Sequence, residues 1–176
     1  MRYSRFFCTA VSAAITAAAV LGAPPTLAPV ADEYTLLLYH FDESGPTVSD
    51  AGPLGLDADR GTAGTTEGRF KAALDTHKGA VRVPFSNTLN VRDGLTLEAW
   101  IRVDGPARDD IQRVAYRSGV YGLYLDRTGK TLTYYISAGG EWTSVQAKVP
   151  LGEWVHVAGT YDGQTMRAFI NGEVKA

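Results

Sequence analysis

A chain of 176 residues with 17 Lys and Arg, 19 Asp and Glu and 3 His carries a formal charge of −2 and has room for one domain plus extras, not two. It contains no basic block, which argues against nucleic acid as a partner, and after the N-terminus no apolar run approaches the ~18 residues of a membrane-spanning helix. The single cysteine, Cys8, lies in that N-terminal segment, so the rest of the chain has no disulfide, thiol nucleophile or thiolate metal ligand and must be held by its core.

Residues 1–31 read as a secretory signal peptide and its cleavage region. Arg2 and Arg5 form the positive start, residues 6–21 the apolar stretch, and Pro24-Pro25 ends it while it is still short for an anchor. Small residues allow cleavage after Ala23, Ala28 or Ala31, and Pro24 and Pro29 leave the choice among them open. Without Arg2 and Arg5, 15 basic residues face 19 acidic ones, a net charge of about −4. The expected location is extracellular.

Residues 24–33 are a short lead. Residues 34–41 (YTLLLYHF) read as a buried strand, and 42–66, dominated by Gly, Pro, Ser, Thr and Asp, as a long loop. That loop is expected to hide a short strand near 55–58. Residues 69–74 and 80–84 are weaker strand candidates. Residues 94–103 (GLTLEAWIRV) are the cleanest strand: Leu95, Leu97, Ala99, Ile101 and Val103 share one face, and Thr96, Glu98, Trp100 and Arg102 the other. A brief strand is predicted at 114–116. A hairpin over 122–136 turns at Arg127-Thr128-Gly129-Lys130, with Leu125 opposite Leu132 and Tyr135 opposite Gly122, and 142–147 form a further strand.

Residues 152–172 (GEWVHVAGTYDGQTMRAFING) carry the strongest local signal. Asp162-Gly163 between two apolar runs is a tight-turn sequence, because glycine accepts the positive φ that the turn demands. Pairing Tyr161 with Met166 sets Gly159 opposite Ala168 and Val157 opposite Ile170. It also collects Val155, Val157, Tyr161, Met166, Ala168 and Ile170 on a core face. A second turn follows at Asn171-Gly172. Strands punctuated every 8 to 12 residues, with no helical periodicity after the leader, predict an antiparallel, all-β sandwich or barrel.

Residues 95–101 (LTLEAWI) resemble the "FTLEAWV" strand of laminin G-like jelly-roll domains, within the concanavalin A-like lectin/glucanase class. Residues 154–163 (WVHVAGTYDG) are similar to that family's "WHHVAGTYDG", and 169–173 (FINGE) to its "LYVNGE". Residues 38–43 (LYHFDE) and 121–126 (YGLYLD) fit in the same order. The resemblance covers residue 34 to the end and implies a jelly-roll β-sandwich over 32–176. Val155 departs from it where a first His is common. The chain also stops at Ala176, before the family's closing strands, so the domain is expected to be C-terminally incomplete.

The glucanases of this class use two carboxylates about 5 to 9.5 Å apart. Glu98 stands alone on its strand, with Arg102 or a neighbouring strand as its expected structural partner. Asp57 and Asp59 share close spacing but lie in the loop. No catalytic residues are therefore assigned. The three histidines, His40, His77 and His156, lack zinc spacing, and His156 beside Trp154 reads as a packed, hydrogen-bonded residue. Family members sometimes hold calcium, which needs six to eight oxygens. Asp42, Glu43, Asp50, Asp57 and Asp59 crowd the first loop, with Asp42 the leading calcium candidate and a solvated acidic loop the plainer reading.

Sugar binding requires aromatic faces flanked by polar groups. Trp142, Tyr124 and Tyr135 are the carbohydrate-contact candidates, while the resemblance implies packing roles for Trp100 and Trp154. Against each stands a structural role: Tyr135 covering Gly122, or Trp142 lying under a loop. The expected function is a secreted, non-catalytic module that recognises glycans or polysaccharides. The alternative is an adhesive or structural jelly roll contacting an extracellular protein, and a glycoside hydrolase is a distant third.

Overall fold

The period-two pattern resolves into two facing sheets in a computed structural model that describes residues 5–12, 27–77, 79–107, 111–138 and 140–176. In chain order the strands are β1 (Arg5–Ser12), β2 (Thr35–Leu37), β3 (Thr47–Val48), β4 (Ala58–Asp59), β5 (Gly64–Glu67), β6 (Ala72–Asp75), β7 (Leu95–Arg102) and β8 (Ile111–Arg117). They continue as β9 (Tyr121–Asp126), β10 (Thr131–Ala138), β11 (Glu141–Lys148), β12 (Trp154–Tyr161), β13 (Met166–Ile170) and β14 (Glu173–Val174). The larger sheet runs β14-β13-β12-β7-β1-β6-β5, with β2 also on β1. The smaller runs β11-β10-β9-β8, and β3-β4 form a separate ribbon. Every pairing is antiparallel. The architecture is an all-β jelly-roll sandwich.

The core lies between the sheets. From the larger come Leu95, Leu97, Ala99 and Ile101 of β7 and Val155 and Val157 of β12. The smaller supplies Leu123, Leu125, Leu132, Tyr134 and Ile136, and all of these are at most 1 % exposed. One contact sets how closely the sheets approach. The Tyr134 ring lies directly against the Gly159 backbone of β12, in the space that a β-carbon there would fill. Its hydroxyl crosses to β7 and donates to the Leu95 carbonyl at 3.2 Å, which satisfies a polar group in a dry interior. Burial pushes the Tyr134 phenol well above its ordinary range, and Tyr121 and Tyr161 add to the shift.

The expected hairpin registers hold. Tyr161 pairs with Met166, Gly159 with Ala168 and Val157 with Ile170. Leu125 pairs with Leu132 and Tyr135 with Gly122. In the β12–β13 turn, Asp162 Oδ1 accepts from the backbone N–H groups of Gln164 (3.0 Å) and Thr165 (2.7 Å), and Gly163 sits at φ 90°. The next turn uses two left-handed residues, Asn171 (φ 51°) and Gly172 (φ 80°), the pairing favoured where a right-twisted hairpin closes in two residues.

The first half of the domain departs from its expected elements. The strand expected at 34–41 shortens to β2, because the Leu38 N–H turns to Asp50 Oδ1 at 2.9 Å and Phe41 adopts φ 60°. Leu37, Leu38, Tyr39 and Phe41 are nonetheless buried. The strand sought near 55–58 is β4 against β3, the 69–74 candidate is β6, and 80–84 contributes a single bridge, Asp59 with Arg82. Side chains organise the rest. The Asp50 carboxylate accepts from Leu38, Gly52 and Leu56 N–H groups. Arg60, 4 % exposed, donates to the Gly45 carbonyl (2.7 Å), the Glu43 carbonyl and Thr65 Oγ1 (3.2 Å). A loop with few apolar side chains is thus tied down by buried polar bonds.

Two outcomes follow. Gly159→Val drives side-chain atoms into the Tyr134 ring and is expected to cost about 2 kcal/mol or more, read as a lower midpoint in urea unfolding with an unchanged slope. The Asp162 carboxyl is held below its ordinary value by the Thr165 N–H, the Arg167 side chain and the Gln164 N–H. A depressed folded-state pKa stabilises the fold above the unfolded value of 3.8 and loses that contribution as the pH falls below it. Thermal melts between pH 5 and pH 3 (about one unit either side of that value) should therefore show a steeper acid loss for the parent than for Asp162→Asn.

Candidate functional site

The outward face of the smaller sheet is aromatic, and its alternation explains why. With Leu123, Leu125, Leu132, Tyr134 and Ile136 turned to the core, Tyr124, Thr133 and Tyr135 must face out. The register then aligns Tyr116 of β8, Gly122 of β9, Tyr135 of β10 and Ser144 of β11 in one row. Arg113, Tyr124, Thr133 and Gln146 form the next. Trp142 lies two residues from Ser144 on the same face.

Tyr135 is the hinge of the cluster. Its ring lies across the bare backbone of Gly122, where any β-carbon would collide with it. Tyr124 stands on one side with ring centroids 5.7 Å apart and Trp142 on the other at 5.4 Å, both tilted. Trp142 is 58 % exposed and Tyr116 57 %, so both offer open faces. The Arg113 guanidinium sits 5.3 Å from the Tyr116 ring centroid, a cation–π contact on the same face. Burial raises the Tyr135 phenol above its ordinary range, Arg113 opposes this, and Tyr124 and Tyr116 reinforce it. Together with Thr143 and Ser144 these side chains line an open cleft of about 440 Å³.

The sequence-derived carbohydrate candidates Trp142, Tyr124 and Tyr135 are thus brought together. The structural role weighed for Tyr135 is present too, since it covers Gly122. Tyr116 and Arg113 escaped the sequence reading. A register shift between Arg113 and Ala115 breaks the alternation of β8, and the predicted strand there was too short to include Arg113. β8 also borders a second cleft of about 510 Å³, lined by Leu37, Phe41, Leu74 and Leu97 among others. It contains no comparable ring cluster facing solvent, apart from Tyr116 on the shared rim.

The other candidates are spent within the fold. Of the two partners expected for Glu98, Arg102 or a neighbouring strand, the neighbouring strand supplies a contact. Glu98 Oε2 lies 3.2 Å from His156 Nε2, and Arg102 reaches Asp104 at 3.2 Å. The partner comes from β12 because Glu98 and His156 lie on the same outer face of adjacent strands. The His156 ring also sits 5.5 Å from Trp100, which is buried beside Phe70 and beneath Arg69. Asp42 accepts from the Ala72 N–H at 3.3 Å and meets Lys71 Nζ at 3.4 Å, while Asp57 accepts from Asp50 N–H and Asp59 from Gly61 N–H. Among the described residues no three His, Cys, Asp or Glu side chains gather as metal donors. Asp42, Asp57 and Asp59 thus serve backbone donors or a lysine.

This fold is that of a binding module. The family model for laminin G-type domains of the concanavalin A-like lectin/glucanases superfamily matches residues 75–176, more than half of the chain, and the chain belongs to that family. Domains of this class are generally non-catalytic and typically extracellular. Among curated proteins, human pappalysin-1 is 31 % identical over an alignment 100 residues long that covers 46 % of this chain and 6 % of that much longer protein. No solved structure matches. Among the described residues, no helix is long and apolar enough to cross a membrane.

Because the Tyr135 ring rests on Gly122, Gly122→Ala must lift it. The expected result is a changed near-UV circular dichroism spectrum from the coupled rings, an unchanged far-UV spectrum, and a stability loss of about 1 to 2 kcal/mol.

Proposed function

We propose that the chain is a secreted, non-catalytic recognition module that binds glycan or polysaccharide on the outward face of β8–β11. The observation that carries this reading is the set of adjoining rings, Tyr124–Tyr135–Trp142, with Tyr116 and Arg113 beside it. Trp142 presents more than half of its surface, and stacking of an aromatic face on the apolar side of a pyranose needs that exposure. Ser144 and the Arg113 fork supply the hydroxyl-directed hydrogen bonds that fix orientation. The leader-like segment at 1–31 and the extracellular habit of the family support secretion.

A second reading draws on a different observation. Phe85 is 75 % exposed and Tyr116 57 %, with the Arg117 guanidinium 4.8 Å from the Phe85 ring, all at the free edge of β8. Exposed rings beside a strand edge that has no partner strand among the described residues also suit an extracellular protein partner, as in an adhesive or structural jelly roll. Hydrolysis has little support, because the Glu98 carboxylate is turned to His156 and faces Ala158 across β12.

Calorimetric titration against a panel of soluble polysaccharides tests the first reading. Binding is expected for at least one glycan, without release of reducing ends. Trp142→Ala should weaken it by about fivefold to tenfold, on the order of 1 kcal/mol, while the far-UV spectrum stays that of the parent. Unchanged affinity in Trp142→Ala would remove this face from the reading, and release of reducing ends abolished by Glu98→Gln would overturn its non-catalytic part.

A further inference from the structure

The larger sheet is completed by a strand from an unexpected part of the chain. β1 pairs with β7 from Arg5 opposite Arg102 to Ser12 opposite Thr96, with one register shift between Cys8 and Ala10. Its other side pairs with β6 (Arg5 with Asp75, Phe6 with Leu74) and with β2 (Val11 with Leu37, Ser12 with Thr35). Among the described residues no pairing joins β7 directly to β6 or β2, and β1 bridges them. Yet residues 5–12 also belong to the segment with the composition of a cleaved leader. The same eight residues cannot depart with a leader and remain in the middle of a sheet.

We infer that the gap between β7 and the β6–β2 side is a strand-acceptor site, filled in the uncleaved chain by its own residues 5–12 and emptied when they leave. Emptying it strands a full row of N–H and C=O groups along one side of β7, whose core-facing residues Leu95, Leu97, Ala99 and Ile101 are at most 1 % exposed. It also detaches β6 and β2, which carry the buried Leu74 and Leu37. The ligand this site recognises is an extended segment of about eight residues, antiparallel to Leu95–Arg102 and held mainly by backbone hydrogen bonds. Occupancy rests on the strand pairing; only the emptying rests on the leader reading.

Hydrogen exchange on the purified full chain tests the site. Phe7→Pro with Ala10→Pro removes two backbone donors from β1, and proline is not tolerated in a central strand. Amides of residues 95–102 should exchange roughly a hundredfold faster than in the parent, whereas Ala18→Pro, in the leader but outside β1, should leave them unchanged. In a second measurement, a protease site is placed between Pro25 and Ala28 and the native chain is cut. The N-terminal piece should co-elute with the domain and be displaced by excess labelled peptide of residues 1–12. Equal exchange in parent and double variant, or loss of the piece with no change at 95–102, overturns the acceptor site. A secreted protein whose mass still includes residues 1–12 overturns the emptying and the leader reading while leaving the occupancy intact.

Discussion

The contact between the Tyr134 ring and the Gly159 backbone fixes the distance between the two sheets, and most of the domain depends on it. A β-sandwich ordinarily spaces its layers by interdigitating side chains from both faces. Here one layer offers no side chain at the point of closest approach, so a large ring from the other sheet occupies the whole depth of the core. The hydroxyl then reaches through to the Leu95 carbonyl, and one residue touches β10, β12 and β7 together. Leu123, Leu125, Leu132 and Ile136 bury around it because the sheets have already been brought into register there.

That register has a consequence on the opposite surface. Tyr134 and Tyr135 are neighbours on β10, so fixing one toward the core fixes the other toward solvent. Tyr135 repeats the device on a smaller scale, with its ring laid over Gly122 within its own sheet. The core and the candidate binding face are therefore built from consecutive residues that use the same trick in opposite directions. The rigidity of the aromatic row is inherited from the interior.

The parts of the fold legible in the sequence are those in which turn chemistry and alternation agree. Asp162-Gly163 and Asn171-Gly172 admit few backbone solutions, so the pairing of Tyr161 with Met166 is legible in the sequence. Leu125 opposite Leu132 is of the same kind. Residues 34–85 were only partly legible, because their order comes from Asp50 and Arg60 reaching backbone groups far along the chain, a pattern without periodicity. β5 (GTTE) has no apolar face at all to announce it. In the candidate site, Tyr124 and Tyr135 were visible from alternation and Trp142 from its place after a Gly-Gly pair, whereas Tyr116 and Arg113 were hidden by the irregular register of β8. For Glu98 the sequence left Arg102 and a neighbouring strand both open, because a strand pattern gives same-strand neighbours and does not name the strand alongside; His156 of β12 supplies the contact.

The central position of β1 bears on timing. A leader must be handed to the export apparatus as an accessible, extended end, while a strand between β7 and β6 has both of its edges paired. Wherever residues 5–12 serve both purposes, the two fates compete. Capture during synthesis sends the chain outward, whereas a pause long enough for β7 to find its neighbour locks the address label inside the parcel. The order of synthesis favours capture, because residues 5–12 emerge well before Leu95–Arg102 exists to hold them.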